Sequence, residues 1–208
     1  MRSARGRPLQ STRWLERQLN DPYVHRARAE GFRARSAYKL LEIDRKHQLL
    51  KRGALVLDLG AAPGSWTQVA SRKGCRIVAV DLVPVDPVER AHLIQGDVRE
   101  SDTQQSITRV LGGRASLILS DMAPAATGQK LVDRLKSEEL SLLVFDLCET
   151  WLEPGGRALV KLVKGAESAV RTRALESFKT TAFIRPPATR SDSSETFLLA
   201  SGFRGPNL

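Results

Sequence analysis

The stretch that most limits what this chain can fold into is Leu55-Val56-Leu57-Asp58-Leu59-Gly60-Ala61-Ala62-Pro63-Gly64-Ser65-Trp66. A short apolar run closes on a glycine, passes through a loop of small residues and enters a segment with helical spacing. This is how a buried parallel strand delivers its backbone into a ligand site. The glycines permit a tight turn and a close main-chain approach, and the start of the following helix presents unpaired N–H groups. A second apolar run, Cys75-Arg76-Ile77-Val78-Ala79-Val80, ends in Asp81, about twenty residues beyond Gly60, the spacing at which a carboxylate accepts hydrogen bonds from a ribose diol. A nucleoside-bearing cofactor is therefore expected, with Gly60, Gly64, Trp66 and Asp81 around it.

The loop does not carry the dinucleotide fingerprint. That pattern needs a third glycine close behind two others, whereas Pro63 fixes a backbone angle and removes a donor from a loop that would cradle a pyrophosphate. Trp66 is expected to lay a large flat side chain beside the pocket. S-adenosylmethionine, with an adenosine and no pyrophosphate, suits this loop better than NAD. The plainer reading is that Gly60 and Gly64 only shape a turn and that Trp66 is core; the strand–loop–helix–strand–Asp context weighs against it.

At 208 residues the chain accommodates one α/β domain with a sizeable core, and its apolar fraction of 41% is ordinary. Cys75 and Cys148 read as separate buried thiols in a reducing compartment, with no metal cluster. No apolar run reaches transmembrane length and no signal segment is evident, so a cytoplasmic protein with no membrane partner is expected. The formal net charge of +10 is uneven: residues 1–50 hold twelve Lys/Arg and five Asp/Glu, +7 of the excess. Residues 1–30 are read as a basic N-terminal arm with a short helix starting at Trp14-Leu15, contacting RNA phosphates, and residues 31–208 as a single catalytic domain. Residues 1–12 are expected to order only on a partner, and a solvated tail or a transit peptide are the plainer readings of the same charge.

An amphipathic helix is expected from Glu30 to His47, with Ala34, Ala37, Tyr38 and Leu41 on one face. Strands are expected near 54–60, 75–81, 91–95, 116–121 and 156–163, with helices near 65–72, 102–111, 132–152 and 167–178. Pro154-Gly155-Gly156 stops the longest helix. Two last runs, Thr181–Arg185 and Thr196–Ala200, are too close for a crossover helix and should pair antiparallel. Thr189–Ser194 reads as a mobile polar loop. The fold class is thus α/β, Rossmann-like, a mostly parallel seven-stranded sheet with an antiparallel last strand.

Ligands in such sheets sit beyond the carboxyl ends of the strands, where Asp58, Asp81, Asp97, Asp121 and Lys161 all fall. Four acids in succession and a lysine are hard to explain as packing, because unpaired charge near a core is costly. Lys161 interrupts Ala158-Leu159-Val160-Lys161-Leu162-Val163, otherwise an apolar central strand, and needs a partner; Asp121, ending the preceding long strand, is the obvious one. Lys39 and Glu195, taken singly, are ordinary surface charges. A Lys–Asp–Lys–Glu set converging on the pocket would suit methylation of a sugar hydroxyl, which needs help losing its proton.

The motifs Arg33-Ala34-Arg35-Ser36-Ala37-Tyr38-Lys39-Leu40, Asp58-Leu59-Gly60-Ala61-Ala62-Pro63-Gly64, Asp81-Leu82, Gln95-Gly96-Asp97, Ser120-Asp121-Met122-Ala123-Pro124, Pro154-Gly155-Gly156, Val160-Lys161 and Glu195 run in order along nearly the whole chain. Together with Thr12-Arg13-Trp14-Leu15 they resemble the FtsJ family of 2′-O-methyltransferases acting on a uridine of large-subunit (23S) ribosomal RNA. That resemblance implies Lys161 as catalytic base supported by Lys39, Asp121 and Glu195. It also implies S-adenosylmethionine contacts at Gly64, Trp66, Asp81, Asp97 and Asp121, with Asp81 on the ribose, Asp97 on the adenine amino group and Asp121 at the methionine end. The partner implied is ribosomal RNA in the assembled large subunit, met by a monomer. Ser65, Ala125 and Lys164 depart from the family's usual glycine, asparagine and glutamine. The competing readings are a non-catalytic RNA-binding ribosome-assembly factor, a methyltransferase of another RNA such as transfer RNA, and an NAD-linked oxidoreductase.

Overall fold

A computed structural model describes residues 21–125 and 127–206. The expectations for residues 1–12 and for a helix at Trp14-Leu15 lie outside these residues. Among the described residues the elements run α1 Pro22–Ala29, α2 Ala37–His47, β1 Leu55–Leu59, α3 Ser65–Arg72, β2 Arg76–Asp81, β3 Ala91–Gln95, α4 Ser101–Leu111, β4 Ala115–Ser120, α5 Lys130–Trp151, β5 Leu152–Val163, α6 Glu167–Ser177, β6 Phe178–Ile184 and β7 Glu195–Phe203.

The seven strands lie in the order β3-β2-β1-β4-β5-β7-β6. Pairing is parallel from β3 through β5, and β7 runs antiparallel to both β5 and β6. The sheet and its antiparallel last strand are those expected from the sequence. Alternation along each strand sends its residues to two cores. Leu57, Leu59, Val78 and Val80 face α4, α5 and α6, where Phe145, Trp151 and Val170 are buried. Val56, Ile77, Ala79, Leu117 and Leu119 face α1, α2 and α3, with Tyr38, Leu40 and Trp66. Burying each such large apolar side chain stabilises the fold by about 1.5–3 kcal/mol. The chain reverses its direction of winding between β1 and β4, the place where such sheets leave a crevice for ligands.

Three expectations need correction. The helix read from Glu30 to His47 begins only at Ala37. Gly31 takes φ of +72° and ends the preceding turn, whose Phe32 N–H returns to the Ala27 carbonyl. A separate helix, α1, precedes it, started by Pro22 at its first turn and by the Asp21 carboxylate accepting the Tyr23 N–H at 3.0 Å. This helix is docked on the body of the fold: the Tyr23 hydroxyl donates to Glu42 at 2.9 Å, and Asp21 Oδ2 lies 3.0 Å from both Arg35 and Arg190. Nor is Thr189–Ser194 a free loop. Arg185 donates to the carbonyls of Arg190 and Ser193, Arg190 reaches Asp21, and Thr189 is buried. The helix stop at Pro154 also takes a different form: α5 ends at Trp151, β5 starts at once, and the register slips between the Ala115–Leu152 and Leu117–Arg157 pairs.

Candidate active site

A cavity of about 610 Å³ opens beyond the carboxyl ends of β1, β2, β3 and β4. Its walls combine apolar side chains, among them Leu59, Val80, Leu82, Val98 and Met122, with the carboxylates of Asp81, Asp97 and Asp121. Gly60 leaves β1 at φ +75°, and a Cβ there would stand 2.7 Å from the main-chain nitrogen of Met122. That clash is with backbone, so only glycine lets β1 and the segment after β4 close together at the head of the cavity.

Asp81 ends β2 and accepts two main-chain N–H groups, Ala62 on Oδ2 at 2.8 Å and Val83 on Oδ1 at 3.0 Å. It ties the β1 loop to the end of β2 and retains further acceptor capacity, since a carboxylate offers about four acceptor sites. Asp97 is met by Arg99, whose Nε donates to Oδ1 at 2.9 Å and whose Nη2 lies 2.5 Å from Oδ2; the Arg99 main-chain N–H also donates to Oδ1. Hydrogen bonds from Arg99 hold the Asp97 carboxyl below the ordinary aspartate range. Arg99 also lines the cavity, and the strand-end reading did not single it out because its role comes from a two-residue turn.

Asp121 is the common wall between this cavity and a charged cluster on the other side. Its N–H donates to the Leu59 carbonyl at 3.1 Å, and its Oδ1 lies 2.9 Å from Lys161 Nζ, which also donates to the Asp121 carbonyl. Lys161 stands opposite Phe197 in the β5–β7 ladder, and Val163 stands opposite Glu195. Residues two apart share a face, so Lys161, Phe197 and Glu195 point the same way, toward α2. From α2, Lys39 reaches Glu195 Oε1 at 2.5 Å and passes 6.0 Å from the Phe197 ring centre. The four residues that the resemblance implied for chemistry thus form two ion pairs, Lys161–Asp121 and Lys39–Glu195, on one side of the sheet. All four side chains are at least three-quarters buried. Lys164 lies beyond the end of β5 and is exposed, with its N–H on the Ser194 carbonyl.

Two of the residues expected at the cofactor, Trp66 and Gly64, are not among those lining the cavity. The Trp66 ring does not border the cavity. It is 2% exposed, packed among the α1–α3 core residues, with its Nε1–H donated to the Ser36 carbonyl at 2.9 Å. An indole has a single polar atom, and here the carbonyl of half-buried Ser36 satisfies it. Gly64 caps α3 at φ +102°, outside the cavity lining; a Cβ there would collide with Arg33 Nη1 at 2.4 Å. Arg33, quoted only as part of a motif, clamps this region by donating to the carbonyls of Pro63, Asp86 and Pro87. Asp58 sits in β1 on the α3 side, 1% exposed, accepting the Thr67 hydroxyl at 2.7 Å. Burial, partly opposed by that hydrogen bond and reinforced by Asp121 and Asp81, pushes its carboxyl up to about 7.

Residues 32–203 match the model of the FtsJ-like methyltransferase family. A protein of Granulibacter bethesdensis named Ribosomal RNA large subunit methyltransferase E is 44% identical over 206 residues, covering 98% of this chain and 90% of that one. One of the same name from Xanthobacter autotrophicus is 43% identical, covering 99% and 84%. Among solved structures, a ribosomal RNA methyltransferase of Plasmodium falciparum superposes with a TM-score of 0.75 at 28% identity, over 84% of this chain and all of that one. The family model spans most of the sequence and the first two relatives cover nearly all of it at 44% and 43% identity, and the chain belongs to the FtsJ-like methyltransferase family.

Proposed function

We propose that this protein transfers a methyl group from S-adenosylmethionine to the ribose 2′-hydroxyl of a uridine in large-subunit ribosomal RNA, with Lys161 as the base. The observation that carries the reading is the Lys161–Asp121 pair, whose Asp121 lines a nucleoside-sized cavity while Lys161 lies on the same sheet face as the Lys39–Glu195 pair. The names of the relatives, Ribosomal RNA large subunit methyltransferase E, support the RNA substrate.

The cavity's chemistry fits the donor. Apolar walls suit an adenine ring, Asp81 has acceptor sites for a ribose diol, Asp97 offers an acceptor to an exocyclic amine, and Asp121 supplies a carboxylate for the amino-acid end. When bound, S-adenosylmethionine supplies an electrophilic methyl carbon. The chain's own contribution is position and proton handling. Lys161 Nζ, fixed by the Asp121 carboxylate and carbonyl, takes the proton of the 2′-hydroxyl in its neutral form. Lys39, held by Glu195, offers donors to the developing oxyanion or the flanking phosphate from the same face. The basic N-terminal arm, residues 1–30, contacts the RNA backbone, and the protein acts as a cytoplasmic monomer on the assembled subunit.

The test is methyl transfer from labelled S-adenosylmethionine to large ribosomal subunits lacking 2′-O-methylation, with transfer RNA as a parallel substrate, followed by digestion to nucleosides. Label in 2′-O-methyluridine from the ribosomal RNA is expected. Label in a base, in transfer RNA alone, or in nothing contradicts the reading.

A further inference from the structure

Trp66 lies at the start of the helix that follows the cofactor loop, and its ring is buried away from the cavity. Most buried indoles serve packing, but the contacts of this one are unusual in where they lead. Its Nε1–H donates to the Ser36 carbonyl at 2.9 Å, and the same carbonyl accepts the main-chain N–H of Lys39 at 3.0 Å. The indole is thus tied to the first turn of α2, the turn that presents Lys39. Beside this bond the Ser65 and Ser36 hydroxyls lie 2.6 Å apart, a second tie between the same two segments. The ring itself packs on Phe197, with centroids 5.6 Å apart. Phe197 stands opposite Lys161 in the sheet, two residues from Glu195, and the Lys39 ammonium lies over its ring. One side chain on the cofactor-loop helix therefore touches both elements that carry the Lys39–Glu195 pair.

We propose that Trp66 is a positioning residue: it sets the Lys39–Glu195 pair, and with it the acceptor ribose, in register with the cofactor loop. This rests on the reading of Lys39 and Glu195 as acceptor-side groups given above. Methyl transfer requires the oxygen, carbon and sulfur in line, and a misplacement of about 1 Å can cost about a hundredfold in rate. Apolar packing alone could be met by another large hydrophobic side chain. What the indole adds is a directional bond to the turn bearing Lys39, anchored at the helix that begins the cofactor site.

Trp66→Phe keeps a ring against Phe197, removes the N–H donor and leaves a smaller buried ring. The measurements are cofactor affinity by calorimetry, the single-turnover rate of methyl transfer, and the same rate in a Glu195→Gln background. Cofactor affinity is expected within about twofold of the parent, while the rate falls about tenfold or more. In Glu195→Gln, where the pair is already broken, the further loss should be under about twofold, because residues acting through one contact are not additive. Ser65→Ala cuts the second tie without touching the core ring and should show the same dependence on Glu195 with a smaller loss, which keeps the test open if Trp66→Phe folds poorly. A full rate in Trp66→Phe, or equal losses in both backgrounds, would overturn the inference while leaving the acceptor-side reading intact. A full rate in Glu195→Gln alone would overturn that reading and this inference together.

Discussion

The two sides of β4 are built on different principles. On one side, the cavity is made of backbone geometry and strand-end carboxylates supplied in sequence order by β1, β2, β3 and β4. On the other, Lys39, Lys161 and Glu195 come from an early helix, a central strand and the last strand, and are joined by ion pairs across the sheet. If the proposed roles hold, single charge removals on the first side should weaken binding by degrees, whereas the second side should lose its function with any one member of the set. Asp121 belongs to both, so cofactor affinity and transfer rate should separate cleanly everywhere except at this residue.

The largest effect expected is on the cluster side. Lys161→Ala should lower the single-turnover rate by about a hundred- to ten-thousand-fold, the contribution of a positioned base, with calorimetric cofactor affinity near the parent value. A matching loss of affinity would erase the distinction between the two sides. Next comes Asp81→Ala on the cavity side, which should weaken cofactor binding by about 1.5–3 kcal/mol, the worth of hydrogen bonds to a charged group. Unchanged affinity would show that Asp81 serves only to tie Ala62 and Val83 together.

A smaller effect concerns Asp58, buried beneath both sides. Its carboxyl is raised to about 7, mainly by burial. Between about pH 4, where an unfolded aspartate ionises, and about pH 7, the folded chain holds a proton that the unfolded chain has released. Stability from this group therefore falls as pH rises through that window. Asp58→Asn keeps an acceptor for Thr67 and carries no such proton. Its thermal midpoint relative to the parent should climb from pH 4 to pH 8 and then level; a pH-independent difference would refute the buried-acid account. Least affected should be Lys164→Ala, since Lys164 lies beyond β5 in solvent: turnover should stay within about threefold, comparable to other exposed substitutions.

The cavity side was legible because its signals are local. An apolar run followed by a glycine loop, and a second run ending in an acid, identify strand ends without any knowledge of what packs on them. Lys161 was legible as an anomaly in an apolar strand, and Asp121 as its partner, because a buried charge demands a neighbour. Lys39 and Glu195 were not, since nothing local distinguishes a paired helix lysine from a solvated one; only resemblance marked them. Trp66 is a different case, since its ring is turned into the core. A tryptophan after a cofactor loop reads as a pocket wall, but the periodicity of a helix two residues in is too short to say which way the ring points. Arg33, Arg99 and the Arg185 clamp act on main-chain carbonyls or a neighbouring turn, contacts that depend on backbone positions no sequence pattern encodes. The break at Gly31 was missed because the i, i+3, i+4 pattern, Ala34 to Leu41, lies wholly beyond it and does not say where the helix begins.

The central claim is that the amine of Lys161 takes a proton, rather than merely placing a positive charge beside Asp121. Lys161→Arg tests it most directly, because a guanidinium keeps the charge and can pair with a carboxylate but does not give up its proton in this pH range. The measurement is the single-turnover rate of methyl transfer to large-subunit ribosomal RNA with cofactor saturation verified by calorimetry. A rate as low as that of Lys161→Ala, with cofactor still bound, is the predicted result; substantial turnover in Lys161→Arg would contradict the general-base account.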